Sequence, residues 1–176
     1  QGNKYMIMTL EFGPRDEVVQ WANEVIAAHS DYQVILMTHG YLMNNQEYLY
    51  DQCNAPSHYG VTGNDPDQLW DKLVSRHENI IMILSGHISD EEINYLPKAG
   101  VNGNIVWQVQ MDMQNYDRDD GAGVLAILRF RDAGETIDVQ YYSPYRDASY
   151  RIMNQISIDL TPETYTVTES DRKSVV

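Results

Sequence analysis

The sequence predicts an α/β fold in which a βαβαβ unit is followed by an antiparallel β meander. Two observations carry the prediction. Through the first half, short apolar runs alternate with segments whose apolar residues recur at helical spacing, the grammar of strands joined by crossover helices. Beyond Gly86 the runs take on partial period-two alternation with no helical segment between them, which is how hairpin-linked strands read. At 176 residues, 43% of them hydrophobic, the chain is long enough to bury one core.

Tyr5-Met6-Ile7-Met8-Thr9-Leu10, closed by Gly13-Pro14, reads as the first buried strand. A helix follows, with Asp16 as its expected cap and Val18, Val19, Ala22, Val25 and Ile26 on one face through about Ala28. Val34-Ile35-Leu36-Met37 is the second strand. Residues 40–65 are polar and irregular, and a stretch that long inside a compact domain is usually functional or mobile. Asp65-Pro66 opens a second helix, Pro being favoured at the first helical position, with Leu69, Trp70, Leu73 and Val74 along one face. Ile80-Ile81-Met82-Ile83-Leu84 is the third strand. The meander is predicted from Ile105 to Met111, Val124 to Phe130 and Ile137 to Tyr142, with turns at 115–123 and 132–135 and a further strand between Tyr150 and Leu160.

Charge narrows the function classes. Twelve Lys+Arg against 26 Asp+Glu give a net charge of −14, spread along the chain, which disfavours nonspecific nucleic-acid binding and anionic membrane surfaces by simple repulsion. One cysteine, Cys53, can form neither an intrachain disulfide nor a thiolate zinc site alone. No apolar run approaches the roughly 18 residues of a membrane span. The chain enters its first strand almost at once from Gln1, which predicts a cut edge rather than a signal peptide.

Two segments match each other: Val34-Ile35-Leu36-Met37-Thr38-His39-Gly40 and Ile80-Ile81-Met82-Ile83-Leu84-Ser85-Gly86-His87. Each runs a buried strand into a small hydroxyl residue and then a histidine beside a glycine. Parallel pairing in one sheet would put both imidazoles at its carboxyl edge, where α/β sheets bind ligands. Neutral imidazole ligates zinc, iron or manganese, and an adjacent glycine lets backbone pack close to the site. The bland alternative is a pair of loop or satisfied core histidines.

Thr38-His39-Gly40-Tyr41-Leu42 and Leu84-Ser85-Gly86-His87 resemble the last two metal-binding blocks of calcineurin-like metallophosphoesterases. Leu10-Glu11-Phe12-Gly13-Pro14-Arg15-Asp16-Glu17-Val18, with Trp21-Ala22-Asn23, is similar to a segment of one bacterial branch of that family, and the resemblance runs from Tyr5 to Pro144. It implies the C-terminal half of a sandwich of two mixed sheets flanked by helices, to which residues 1–160 are assigned; the polar end, 161–176, has little to bury and reads as a flexible tail. It also implies a hydrolase acting on phosphate esters with two divalent metals, manganese, iron or zinc, that polarise the phosphoryl group and activate water. His39 and His87 would ligate one of those metals. The family's Asp-x-His, Gly-Asp and Gly-Asn-His blocks do not occur in this sequence, so no catalytic residue is assigned within it, and the chain alone is expected to be inactive. Family relatives that are exported point to the extracellular space or cell envelope of a bacterium.

The family's last block is usually Gly-His-x-His, whereas this chain has Gly86-His87-Ile88-Ser89. Ser89 replaces an imidazole that goes to the other metal. This departure keeps open a noncatalytic binding or surface module derived from a degenerate phosphoesterase. His58, in the long polar stretch, is the candidate substrate contact, with a solvated loop residue as the alternative. His29 and His77 follow helices, where the dipole suffices to explain them. Residues 115–121 carry carboxylates at alternate positions but miss the EF-hand pattern and read as a hairpin turn. Tyr141, Tyr142, Tyr145 and Tyr150 suit cross-strand packing better than base stacking. Half a sandwich leaves an open sheet edge, which predicts self-association or strand exchange.

Overall fold

The computed structural model describes residues 2–50, 53–115, 121–149 and 155–161. The expected strand between Tyr150 and Leu160, the acidic turn at 115–121 and the tail at 161–176 fall partly or wholly outside them. Two sheets and a helical layer make up the fold. The first sheet has five strands: β1 (Tyr5–Thr9), β2 (Gln33–Met37), β3 (Ile80–Ser85), β4 (Asn94–Ala99) and β5 (Ile105–Gln110), in the order β1-β2-β3-β5-β4. β1, β2, β3 and β5 run parallel, and β4 pairs antiparallel with β5. The expected βαβαβ unit is therefore present, and the sheet it builds is mixed.

Two helical segments cover one face. α1 (Asp16–Ala28) buries Val19, Ala22 and Ile26, the stripe its periodicity announces. Its N-cap is Arg15 rather than Asp16. Asp16 instead accepts from Asn64 (3.0 Å) and Lys72 (2.8 Å), tying α1 to the second helical segment. That segment is α2 (Pro66–Leu69) continued by a π-helical turn over Trp70–Val74. A capping box starts it, with the Gln68 side chain accepting from the Asp65 amide at 3.0 Å. Leu69, Leu73 and Val74 face inward as expected, packing with Val34, Leu36 and Ile83 of the sheet. Each of these fully buried aliphatic side chains contributes roughly 1.5–3 kcal/mol from desolvation.

The opposite face of the first sheet packs on a second sheet of β6 (Leu125–Arg131), β7 (Thr136–Ser143), β8 (Ala148–Ser149) and β9 (Gln155–Asp159), with β7 pairing antiparallel with each of the others. Strict alternation along β7 explains its role: Ile137, Val139, Tyr141 and Ser143 are buried while the residues between them are not. Ile35, Met82, Trp107 and Val109 meet Ile137, Val139 and Ile158 between the sheets. The layers are thus helices, mixed sheet and antiparallel sheet.

The sequence pattern starts the meander at Ile105, and there the structure differs. β5 lies parallel to β3 inside the first sheet because both its faces are covered, Val106 by the helical core and Trp107 and Val109 by the second sheet. A strand buried on both faces loses the alternation that marks one-sided strands. β4 escapes the sequence pattern altogether, since Pro97 and Lys98 interrupt its apolar run, and Pro is tolerated there because β4 is an edge strand.

Residues 40–65 are less open than their composition suggests. Tyr41, Leu42, Met43, Leu49 and Ala55 are buried, and Leu42 bridges Tyr48. Tyr48 donates to the buried Gln108 of β5 at 2.8 Å and accepts from Lys98 of β4 at 3.0 Å, while the Lys98 ammonium lies 4.2 Å over the Trp70 ring. This network clamps the loop to the far edge of the sheet. Among the described residues no helix is long and apolar enough to cross a membrane.

Candidate functional site

The parallel strands bring their carboxyl ends to one edge. Leu10 donates to the Met37 carbonyl (2.8 Å), Thr38 to the Leu84 carbonyl (3.0 Å) and Met111 to the Ser85 carbonyl (2.8 Å), so the sheet ladder continues into the loops that leave β1, β2, β3 and β5. Each loop delivers a side chain to the same place: Phe12, His39, His87 and Asp112. Thr38, the hydroxyl residue before the first histidine, donates to the Glu11 carbonyl at 3.1 Å and locks two of these loops together.

His39 and His87 meet as the matched segments predict. Their ring centroids are 4.6 Å apart, at an interplanar angle of 58°. Phe12 stands edge-on to His39 at 5.2 Å and lies 5.4 Å from His87. Gly40 is required by this packing, because a Cβ there would come 2.9 Å from Leu49 Cδ1 and 3.2 Å from His87 Cβ and Cδ2. His87 itself has φ of +72°, a left-handed conformation that non-glycine residues rarely adopt and that clusters at functional sites.

His39 is exposed and His87 half-buried. Burial pushes the His87 imidazole pKa down, and the neighbouring His39 pushes the same way; the Asp112 carboxylate and the Asn54 backbone act in the opposite sense. The net direction favours the neutral ring, the form that ligates a metal. His87 Nε2 is buried without a hydrogen-bond partner, and such an atom is costly unless something occupies it. The pair fits a borderline cation on these grounds. As the side chains stand, no three His, Cys, Asp or Glu groups among the described residues converge into a metal-holding cluster.

Other sequence candidates find different places. His58 sits on a 3-10 turn (Pro56–Tyr59) and stacks edge-on with Tyr59 at 5.1 Å, while Tyr59 reaches His87 at 5.5 Å. His58 is thereby one ring removed from the histidine pair, at the rim. His29 Nδ1 lies 2.8 Å from the Val25 carbonyl at the end of α1. His77 does more than follow a helix: its Nε2 lies 2.7 Å from Asn23 Oδ1, bridging the two helical segments. Ser89 Oγ accepts from the Asn115 amide at 2.8 Å and holds two loops together. Tyr141 is buried between the sheets and Tyr145 is exposed, as packing and turn positions respectively.

Phe12, Tyr59 and Asp112 escape the sequence reading. Phe12 carries a usable signal, since it follows the first strand as His39 follows the second. Asp112 becomes visible only once β5 is assigned to the parallel sheet. A cavity of about 680 Å³ extends from His39, His87 and Asp112 between the sheets, past Ile35 and Leu84, toward Leu128 of β6.

No family model and no solved structure matches the chain. The chain is similar to Uncharacterized protein YvnB of Bacillus subtilis (strain 168), with 29% identity over 157 residues. The match takes in 85% of this chain and 11% of that protein, so the chain spans a small part of the length of the relative it matches.

Proposed function

We propose that the chain is the C-terminal half of a calcineurin-like metallophosphoesterase domain and contributes His39 and His87 to a two-metal site that hydrolyses phosphate esters. The observation that carries this reading is the histidine pair itself: two rings 4.6 Å apart, each leaving the carboxyl end of an adjacent parallel strand. The mixed first sheet, its helical cover and the second sheet agree with half of the family's sandwich. The chain spans 11% of the relative it matches, and the remaining ligands are proposed to lie elsewhere in a longer parent protein.

A divalent metal bound there would polarise the phosphoryl oxygens and lower the pKa of bound water. This chain's residues hold and orient. Burial lowers the His87 pKa and its Nε2 has no hydrogen-bond partner; the His39 ring stands on the exposed side; Phe12 packs against both rings. His58 and Tyr59 stand at the rim, where an incoming ester would pass.

The test is manganese-supplemented hydrolysis of p-nitrophenyl phosphate by the parent protein, by its His39→Ala and His87→Ala variants, and by this chain alone. Activity in the parent, lost in both variants and absent from the isolated chain, supports the reading. A parent protein without metal-dependent hydrolysis, though folded, points to the noncatalytic binding module, a reading that the structural engagement of Ser89 Oγ favours.

A further inference from the structure

We propose that Tyr59 forms the wall that recognises the alcohol portion of the substrate, and that this portion carries an uncharged planar aromatic ring. The inference rests on the phosphoesterase reading of the histidine pair and names the substrate class of that same site.

Placement makes the first argument. Tyr59 closes the 3-10 turn Pro56–Tyr59, and that turn is pinned at several points. The Ser57 amide and hydroxyl both donate to the Asp65 carboxylate, at 3.0 and 2.5 Å. The Val61 amide donates to the Pro56 carbonyl at 3.0 Å. Gly13, in the loop that delivers Phe12, comes so near that a Cβ on it would lie 2.6 Å from Pro56 Cβ. The Tyr59 hydroxyl donates to Asn54 Oδ1 at 3.0 Å, while the backbone of Asn54 acts on the His87 ring. Tyr59 is thereby held beside Phe12 and His87.

Exposure makes the second. Tyr59 stays 52% exposed although it is so firmly placed. Its contacts with Phe12, His87 and His58 are steep, at 61°, 74° and 89°, so none of these three rings lies flat on it. An ordered, open side chain has lost conformational freedom without full burial, and a planar ring stacked on it would remove aromatic surface of both from water. With 5.5 Å between the Tyr59 and His87 centroids, such a ring is within reach of an ester oxygen held at the histidines.

Charge makes the third. None of the described residues lining the cavity beside the histidine pair is lysine or arginine, and Asp112 makes that lining acidic. Further phosphate or carboxylate groups on the alcohol would be repelled there. A neutral ring is not, and at the rim it meets Tyr59 and Phe12.

Benzylphosphonate and cyclohexylmethylphosphonate are the probes, a pair that shares one anionic group and differs in whether the ring is aromatic. Their binding to the manganese-loaded parent protein is measured by calorimetry, so no leaving group enters. Wild type should bind the benzyl compound at least about threefold more tightly, the worth of one aromatic pair, and Tyr59→Leu should bring the ratio near one. A ratio near one in wild type, or one that persists in folded Tyr59→Leu, overturns the role of Tyr59. If p-nitrophenyl phosphate is hydrolysed nonetheless, the phosphoesterase reading stands without it. Neither phosphonate bound and no ester hydrolysed overturns both. Adenosine 5′-methylphosphonate against the base-free ribose ester separates the two sources of such a ring. A gain there that Tyr59→Leu removes assigns a nucleobase, and a gain confined to the benzyl compound assigns an aryl or benzylic ester. If Tyr59→Leu does not fold, Tyr59→Trp decides: its larger ring should widen the benzyl preference, and an unchanged or smaller ratio rejects the assignment.

Discussion

The Gly86 amide donates to the carbonyl of His39 at 3.0 Å. This bond joins the loop after β2 to the loop after β3 at the point where both leave the sheet. It holds the two loops together as their strands end, so the two imidazoles start from neighbouring backbone positions.

Gly40 is the tightest point of that arrangement. Gly40→Ala places a methyl against Leu49 Cδ1 and the His87 ring, both of which have to move. A destabilisation of about 1–3 kcal/mol is expected, from overpacking. Urea denaturation measures it; an unchanged midpoint would show that the loop yields without strain.

Tyr48 anchors the long loop through Gln108, a side chain with no solvent exposure whose amide nitrogen is already committed to the Leu96 carbonyl at 3.1 Å. Tyr48→Phe leaves Gln108 Oε1 buried without its 2.8 Å donor. The cost should be about 1–3 kcal/mol, the penalty for an unsatisfied buried acceptor. Adding Gln108→Leu to the Tyr48→Phe variant should recover part of it, which a double-mutant cycle in urea reads directly.

His77 makes stability depend on pH. Burial, and secondarily the Arg76 charge, lowers its folded pKa below the ordinary histidine value. The unfolded chain therefore binds the proton more readily, and the contribution is complete above about pH 6.5 and lost as pH falls through the lowered folded value. Urea midpoints at pH 7.5 and 5.5 should differ more in wild type than in His77→Gln. An equal difference in the two proteins would assign the effect elsewhere.

β1 is an edge strand whose Ile7 is 67% exposed, beside Met37 at 39% and opposite Phe130 of β6 at 41%. An apolar edge of this kind pairs readily with another chain. Concentration-dependent self-association in sedimentation equilibrium is expected, with Ile7→Lys shifting the protein to monomer at little cost in Tm. Association that persists undiminished in Ile7→Lys would place the contact on another surface.

The strands and helices of the first half, the β6–β7 hairpin and the two histidines are legible in the sequence because each rests on local information: helical or alternating apolar spacing, Asp65-Pro66 at a helix start, and a repeated strand–hydroxyl–His pattern. Long-range packing is what puts β5 into the parallel sheet, creates β4, and stands Phe12, Tyr59 and Asp112 beside the histidines. A strand covered on both faces shows no alternation to read, and an edge strand can carry Pro97 because one side of its backbone has no partner. Asp112 lies 25 positions after His87, and only the parallel register of Ser85 with Gln110 brings their loops together.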